Sequence, residues 1–291
     1  DTKGRSITAT FKAVASGNVL LDIAGKVTPV PLNTLSAESQ KLARDYHDQS
    51  NPATTNDPTQ ATKDRPFVNS LGMKFVPVPG TKVLFSIWHT RVQDYEKFVL
   101  ETQRPYKDPE FEQGLTHPVM NIKWEDAKAF CDWLSRKEGL EYRLPQDAEW
   151  STAAGDTVYP WGNEASVPKG FGNFHGAYRA ESFAYTTPVG SFPADKHGLF
   201  DMAGNAHQWC EDIYDPSLNE AVTLEKFPHL KKAKSDDETV WHVTRGSSWG
   251  FLDKVGLRTS FRNRSQGGTG FRCVIVIGST ASPASATPAP P

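Results

Sequence analysis

From Tyr159 to Ile277 the sequence carries almost no helical periodicity, and this limits what the chain can fold into more than any other feature. Apolar residues there do not recur at i, i+3, i+4 and i+7. Instead Gly, Pro, Asn and Asp punctuate isolated aromatic residues, as in YPWGNE, HGLFDMAGNAHQW and TRGSSWG. Such a segment has to be held by aromatic anchors and turn hydrogen bonds rather than by packed helices. A total of 8 Trp, 22 Gly and 21 Pro in 291 residues extends that expectation to the whole chain. The fold class expected is α+β, irregular and loop-rich.

The flanking segments are more regular. ITATFKAV alternates Ile7, Ala9, Phe11 and Ala13 with polar residues, the period-2 pattern of a half-buried strand. VLLDI and VTPVPL add two short strands, and SAESQKLARDYH follows as a helix capped by Ser36, giving a small β module over 1–48. From Gln49 to about Pro66 the apolar residues give way to Asn, Thr, Asp and Pro, the composition of a linker. The large domain, 67–278, opens with the strand-rich PFVNSLGMKFVPVPG. A helix capped by Thr90 then presents Val92, Tyr95, Phe98 and Val99, and a second buries Ala127, Phe130, Cys131 and Leu134 before Gly139 stops it. A short helix is entered through Pro145, and residues 279–291 form a disordered Pro/Ala/Ser tail.

Composition excludes several classes. A net charge of -2 with 23% charged residues gives no single-sign field, so nucleic acid is not an expected partner. No apolar run approaches the ~18 residues of a spanning helix, so the chain is not expected to be membrane-embedded. Beginning at Asp1, it reads as a processed or excised piece, expected to be part of a larger polypeptide or assembly. Three cysteines do not make a disulfide scaffold. No phosphate-cradling glycine loop occurs, and GSSWG lacks the spacing of a nucleophile elbow.

Read in order, NSLGMKFVPVPG, HPVMNIKWEDAKAFCDWL, YRLPQDAEWSTAAG, YPWGNE, TPVGSFPADKHGLFDMAGNAHQW, TRGSSW and GFRC closely resemble the formylglycine-generating enzyme, or sulfatase-modifying factor, family. The resemblance covers about Phe67 to Gly278 and implies a compact fold related to C-type lectins. More weakly, FKAVASGNVLLDIAGKVTPVPLNTLSAESQ resembles the Sla1 homology domain 1 type, implying a small SH3-like β-barrel. Such modules occur in bacterial extracytoplasmic proteins, so a periplasmic or secreted location is expected.

Members of that enzyme family bind copper through two thiolates and use oxygen to convert a substrate cysteine into formylglycine. The matching positions here are Phe251 and Gly256, neither of which ligates a metal, so copper and formylglycine-generating activity are not expected. The resemblance also implies a disulfide between Cys131 and Cys273, leaving Cys210 as a buried thiol. It implies calcium as a possible cofactor at two sites. The first would use side chains of Asn173 and Glu181 with carbonyls of Phe174 and Phe183. The second would use Asp201 with carbonyls of Gly204 and Ala206, and Gln208 where the family carries Glu, which weakens it.

The histidines His89, His117, His175, His197, His207 and His242 are scattered singly, without the H-x-x-x-H-x-E string of the related iron-dependent sulfoxide synthases. TRGSSWGFLDKVGLRTSFRNRSQGGTGFRC holds five arginines, Arg245, Arg258, Arg262, Arg264 and Arg272. Their plain reading is that the guanidinium groups satisfy loop carbonyls and carboxylates such as Glu149, Glu211 and Asp212. The sharper reading places His207, Arg245, Ser248, Trp249 and Arg264 along a groove that binds a peptide or glycan. Function is therefore expected to be a non-catalytic, extracytoplasmic binding or scaffold module. The alternative is an oxidase or maturation enzyme of the same family with a rebuilt site lacking the paired cysteines.

Overall fold

A computed structural model of the chain describes residues 10–15, 18–23, 26–31, 34–36, 39, 54–168, 170–174, 184–231, 240–250, 253–265 and 269–280. The chain divides into two compact units, Asp1–Thr54 and Thr55–Pro291.

In the first unit β1 (Thr10–Ala15), β2 (Asn18–Ile23) and β3 (Lys26–Pro31) form an antiparallel sheet in that order. Val19 faces Val30 across β2 and β3 and is buried. Pro29 and Pro31 sit on β3, an edge strand, where a missing N–H breaks no ladder. The helix expected after Ser36 lies almost wholly outside the described residues, although the Ser36 hydroxyl accepts the Ser39 N–H at 3.3 Å.

The second unit is built around a five-stranded antiparallel sheet, β4 (Phe67–Val68), β5 (Lys74–Pro77), β6 (Val83–Ser86), β11 (Val274–Thr280) and β7 (Leu140–Arg143), in that spatial order. Its central strands bury both faces, which is why they read as continuous apolar runs. Phe75, Leu84 and Ile275 point into one hydrophobic cluster, while Val76, Phe85 and Val274 point into a second. The first cluster is covered by α1 (Val92–Thr102) and α2 (Trp124–Glu138), whose Tyr95, Phe98, Phe130 and Trp133 pack ring on ring with centroids 5.2–5.9 Å apart. The predicted α2 face is fully buried, and Gly139 ends the helix at φ 70° with its N–H on Ser135 O. Cys131 and Cys273 meet in this cluster as free thiols with sulfurs 3.6 Å apart.

The second cluster lies between the sheet, α3 (Asp147–Ala154) and a smaller antiparallel sheet of β10 (Asn263–Ser265), β9 (His242–Arg245) and β8 (Gln208–Ile213). Trp150 of α3 is its largest side chain. One short helix, α4 (Ala221–Lys226), interrupts the later loops. Among the described residues no helix is long and apolar enough to cross a membrane.

Two local expectations are corrected. Thr90 does not cap α1: Asp94, at the third helical position, accepts the Arg91 N–H at 3.0 Å, and Thr90 is buried with its N–H on Phe271 O. The residues read as the end of a linker are folded. Thr55 pairs with Phe67, and Asp57 caps the 3-10 turn Pro58–Gln60 through the Thr59 N–H.

The sheets are joined by a buried polar hub. Arg272, fully buried, donates to Gln208 Oε1 at 2.6 Å, Ser86 O at 2.9 Å and Phe200 O at 2.8 Å. Trp150 Nε1 donates to the same Gln208 oxygen at 3.1 Å, and Gln208 Nε2 donates to Asp201 O. Beside them His89, also fully buried, donates from Nε2 to Ala206 O at 2.9 Å. Burial, with Arg272 nearby, pushes the His89 imidazole down to about 3, so it is neutral. Burial raises the Asp201 carboxyl to about 6.

Arg272→Met orphans buried carbonyl oxygens of Ser86 and Phe200 and is expected to lower unfolding free energy by about 3 kcal/mol in urea titration. The pH response follows from opposite signs. A histidine held neutral binds its proton only on unfolding, so stability falls as pH drops from 6.5 toward 4; a carboxyl with a raised value takes up its proton while folded and opposes that fall between 6 and 4. His89→Gln is expected to flatten the acid-side decline by about 1.4 kcal/mol per pH unit, and Asp201→Asn to steepen it, both read from chemical denaturation at stepped pH.

Candidate functional site

The turn after β9 is laced onto the 202–207 segment. His207 donates from Nδ1 to Gly246 O at 2.6 Å, and the Trp249 N–H donates to Asn205 O at 3.2 Å. Gly246 has φ 70°, and a Cβ there would stand 3.0 Å from Met202 O, so this close approach requires glycine. The result fixes Trp249, half-buried, at the edge of the unit. Its ring meets Phe111 at 5.7 Å and Tyr185 at 5.1 Å, both edge-on, while Phe111 and Tyr185 stack at 4.4 Å with an interplanar angle of 3°.

Tyr185 is 44% exposed, so this three-ring wall faces solvent. Phe111 also lines a cavity of about 690 Å³, with Val92 and Leu115 at its apolar side and Glu96, Asp108, Glu110 and Glu112 around it. Burial lowers His207 to about 4, leaving a neutral imidazole next to the turn. Neither Phe111 nor Tyr185 stands out in the sequence. They come from two separate loops, and only the folded chain brings them to Trp249.

The five arginines of the late stretch are engaged with the protein. Arg245, expected in the groove, is instead fully buried: its guanidinium lies 4.5 Å above the Trp150 ring, 3.1 Å from Asp147, and donates to Ser151 Oγ and Thr259 O. Arg264 stacks 4.2 Å over Trp241 and donates to His229 O, on the β10 side of the small sheet and away from Trp249. Arg262 pairs with Asp147 at 2.6 Å, and Arg258 pairs with Glu220. The carboxylates named from the sequence serve other partners, Glu149 with Arg143 and Glu211 with Lys128, while Asp212 accepts the Asp147 N–H. Of the expected groove residues the structure brings together His207, Ser248 and Trp249.

Gly256, which the resemblance matched to a copper-binding position, is buried on the 3-10 turn Lys254–Leu257; Phe251 lies outside the described residues. All three cysteines are buried in the hydrophobic clusters, and burial raises the thiols of Cys131 and Cys210.

The calcium sites divide. Glu181 and Phe183 of the first lie outside the described residues. Asn173 fits such a site, because its Oδ1 is buried without a partner while Nδ2 donates to Tyr185 O. The second donor set does not fit. Ala206 O is taken by His89 and Gln208 Oε1 by two N–H donors, one of them on the Arg272 cation. Among the described residues no group of three or more His, Cys, Asp or Glu could hold a metal ion.

Comparison with known proteins agrees with this architecture. A serine/threonine-protein kinase, pkn1, of Chlamydia caviae is 36% identical over 166 residues, covering 54% of this chain and 24% of that protein. A formylglycine-generating enzyme of Streptomyces coelicolor is 33% identical over 177 residues, covering 54% of this chain and 52% of that enzyme. The chain thus spans between a quarter and about half the length of these relatives. The structure of PvdO from Pseudomonas aeruginosa superposes with a TM-score of 0.52 at 22% identity, covering 67% of this chain and 80% of that one, and shares the fold. A family model, the sulfatase-modifying factor enzyme 1-like domain, matches residues 46–277. The chain therefore belongs to the sulfatase-modifying factor enzyme 1-like family.

Proposed function

We propose that this family member is a non-catalytic binding module that takes a peptide or glycan on the aromatic wall of Phe111, Tyr185 and Trp249. The observation that carries the reading is the wall itself: three rings from distant loops, with the Trp249 turn held by a backbone hydrogen bond to Asn205, partly open to solvent beside a large cavity. Aromatic faces of this kind hold sugar rings and extended peptides through large contact area at low entropic cost. At Gly256 there is no sulfur for a copper centre, and burial raises the thiols of Cys131 and Cys210, which disfavours the nucleophilic thiolate there. The first unit serves as a small adaptor barrel, and the whole belongs to a larger extracytoplasmic polypeptide, in keeping with a kinase relative in which the matched region is 24% of the length.

Arrays of peptides and glycans probed with the labelled full chain are expected to give saturable binding that Trp249→Ala weakens at least about tenfold. A change in the mass of a bound peptide during incubation would instead favour a rebuilt oxidase site. The proposed location has its own check. In an oxidising compartment Cys131 and Cys273 are expected to bond, so that alkylation of the unfolded, unreduced protein labels Cys210 alone. Because the pair is separated by 142 residues, its reduction should then cost about 5 kcal/mol of stability in the chain-entropy treatment. Labelling of all the cysteines in protein taken from its native compartment would refute the location.

A further inference from the structure

The hydrogen bonds that run inward from the loops of Tyr185 and Trp249 converge on one residue, Asn205, which has no exposed surface. Its carbonyl accepts the Trp249 N–H at 3.2 Å, and its own N–H donates to Asn173 O at 2.9 Å. Its side chain pairs with the main chain of Thr187, two residues after Tyr185. There Oδ1 accepts the Thr187 N–H at 2.9 Å and Nδ2 donates to Thr187 O at 3.2 Å. The same amide hydrogen-bonds to the Asp201 carboxylate. On the other side of the stretch, Tyr185 O accepts Asn173 Nδ2 at 2.7 Å. The Phe111 loop closes onto it as well, because Gln113 Nε2 donates to Thr186 Oγ1 at 2.9 Å.

The Asn205 amide does for Thr187 what a neighbouring strand would do, accepting from the N–H and donating to the C=O of one residue. Residues 184–190 belong to no strand or helix, so this pairing stands in for a ladder. Two requirements meet at the position. The backbone is left-handed, φ 62°, which among residues with a Cβ is tolerated best by Asn and Asp. Accepting and donating at once needs an amide, Asn or Gln. Asparagine alone meets both.

We infer that Asn205 is the positioning residue of the aromatic wall, setting the spacing between Tyr185 and Trp249. Its carbonyl holds the turn of one ring and its side chain the stretch of the other, so a single rigid residue spans the two. The part of this inference that concerns recognition rests on the reading of the wall as a binding surface; the placement of the rings rests on the hydrogen bonds alone. A peptide or glycan that lies across two rings gains most when their separation is set before it arrives, because ordering a loop on binding costs affinity.

Fluorine NMR of the full chain labelled with 5-fluorotryptophan reads the placement without a ligand, the Trp249 resonance being the one that Trp249→Phe removes. Tyr185→Leu deletes the ring that meets Trp249 edge-on at 5.1 Å, and so marks where the resonance goes when that contact is lost. Asn205→Gly keeps the left-handed backbone and both main-chain hydrogen bonds of the position and deletes the pairing with Thr187. It is expected to move the Trp249 resonance at least about halfway to the Tyr185→Leu position while the buried Trp150 and Trp209 stay in place. On peptide and glycan arrays it is expected to lose about tenfold of whatever affinity the wild type shows. In the unsubstituted protein, amide exchange of the Thr187 N–H should be at least about a hundredfold slower than that of an unpaired amide, a measurement that holds even where Asn205→Gly does not fold. An unmoved Trp249 resonance in Asn205→Gly, or free exchange at Thr187, would overturn the placement. A shifted resonance with unchanged affinity would overturn the role in recognition. Arrays that retain nothing of the wild type would remove the binding reading of the wall and leave the joint at Asn205 standing on its spectroscopy.

Discussion

The guanidinium of Arg272 reaches in one plane to three carbonyl-type oxygens that belong to three separate parts of the chain. Ser86 O comes from the end of β6, Phe200 O from the loop that follows 193–199, and Gln208 Oε1 from the start of β8. No strand ladder could join these points, because one lies in a loop and the other two in strands of different sheets. A planar fork with fixed donors does it with one side chain, at the cost of burying a full charge. Burial pulls Arg272 down only to about 10, so the charge persists at neutral pH, and every neighbouring loop has to keep its carbonyls aimed inward. The loop-rich half of the unit is ordered by that requirement.

Gln208 shows how the hub matches its donors to its acceptors. Its side-chain oxygen faces two N–H donors, and its amide nitrogen donates to Asp201 O at 3.3 Å. An amide suits this position because it both accepts and donates, which a carboxylate cannot do.

How much of this was legible depended on whether a signal was local. The α2 face was readable because Ala127, Phe130, Cys131 and Leu134 repeat along one helix, and Gly139 because an αL position needs a glycine. Of the main sheet, the two strands within PFVNSLGMKFVPVPG were readable, while Val83–Ser86 and Val274–Thr280 carried no local turn or alternation signal that marked them. Thr90 misled because a hydroxyl at a helix start resembles a cap, whereas Asp94 reached back from inside the helix. Arg245 misled more deeply: a charged residue between polar neighbours reads as surface. Its partners Asp147, Ser151 and Thr259 lie far away in sequence, and the Trp150 face that covers it belongs to another element. The pairing of Phe111 with Tyr185 was invisible for the same reason.

These cases share a cause that reaches the function. In a segment without periodicity each aromatic or charged side chain must find its partner through the tertiary structure alone, so chemistry that reads as exposed can be spent internally. Arg245, Arg262 and Arg272 are spent in this way, and they fix the backbone on which Trp249 stands. The wall of Phe111, Tyr185 and Trp249 is then what remains outside: rings that the interior does not need, on loops the interior holds still. A unit whose arginines are held inside keeps a rigid, aromatic-edged surface, and rigidity with exposed aromatic area lowers the ordering cost of binding.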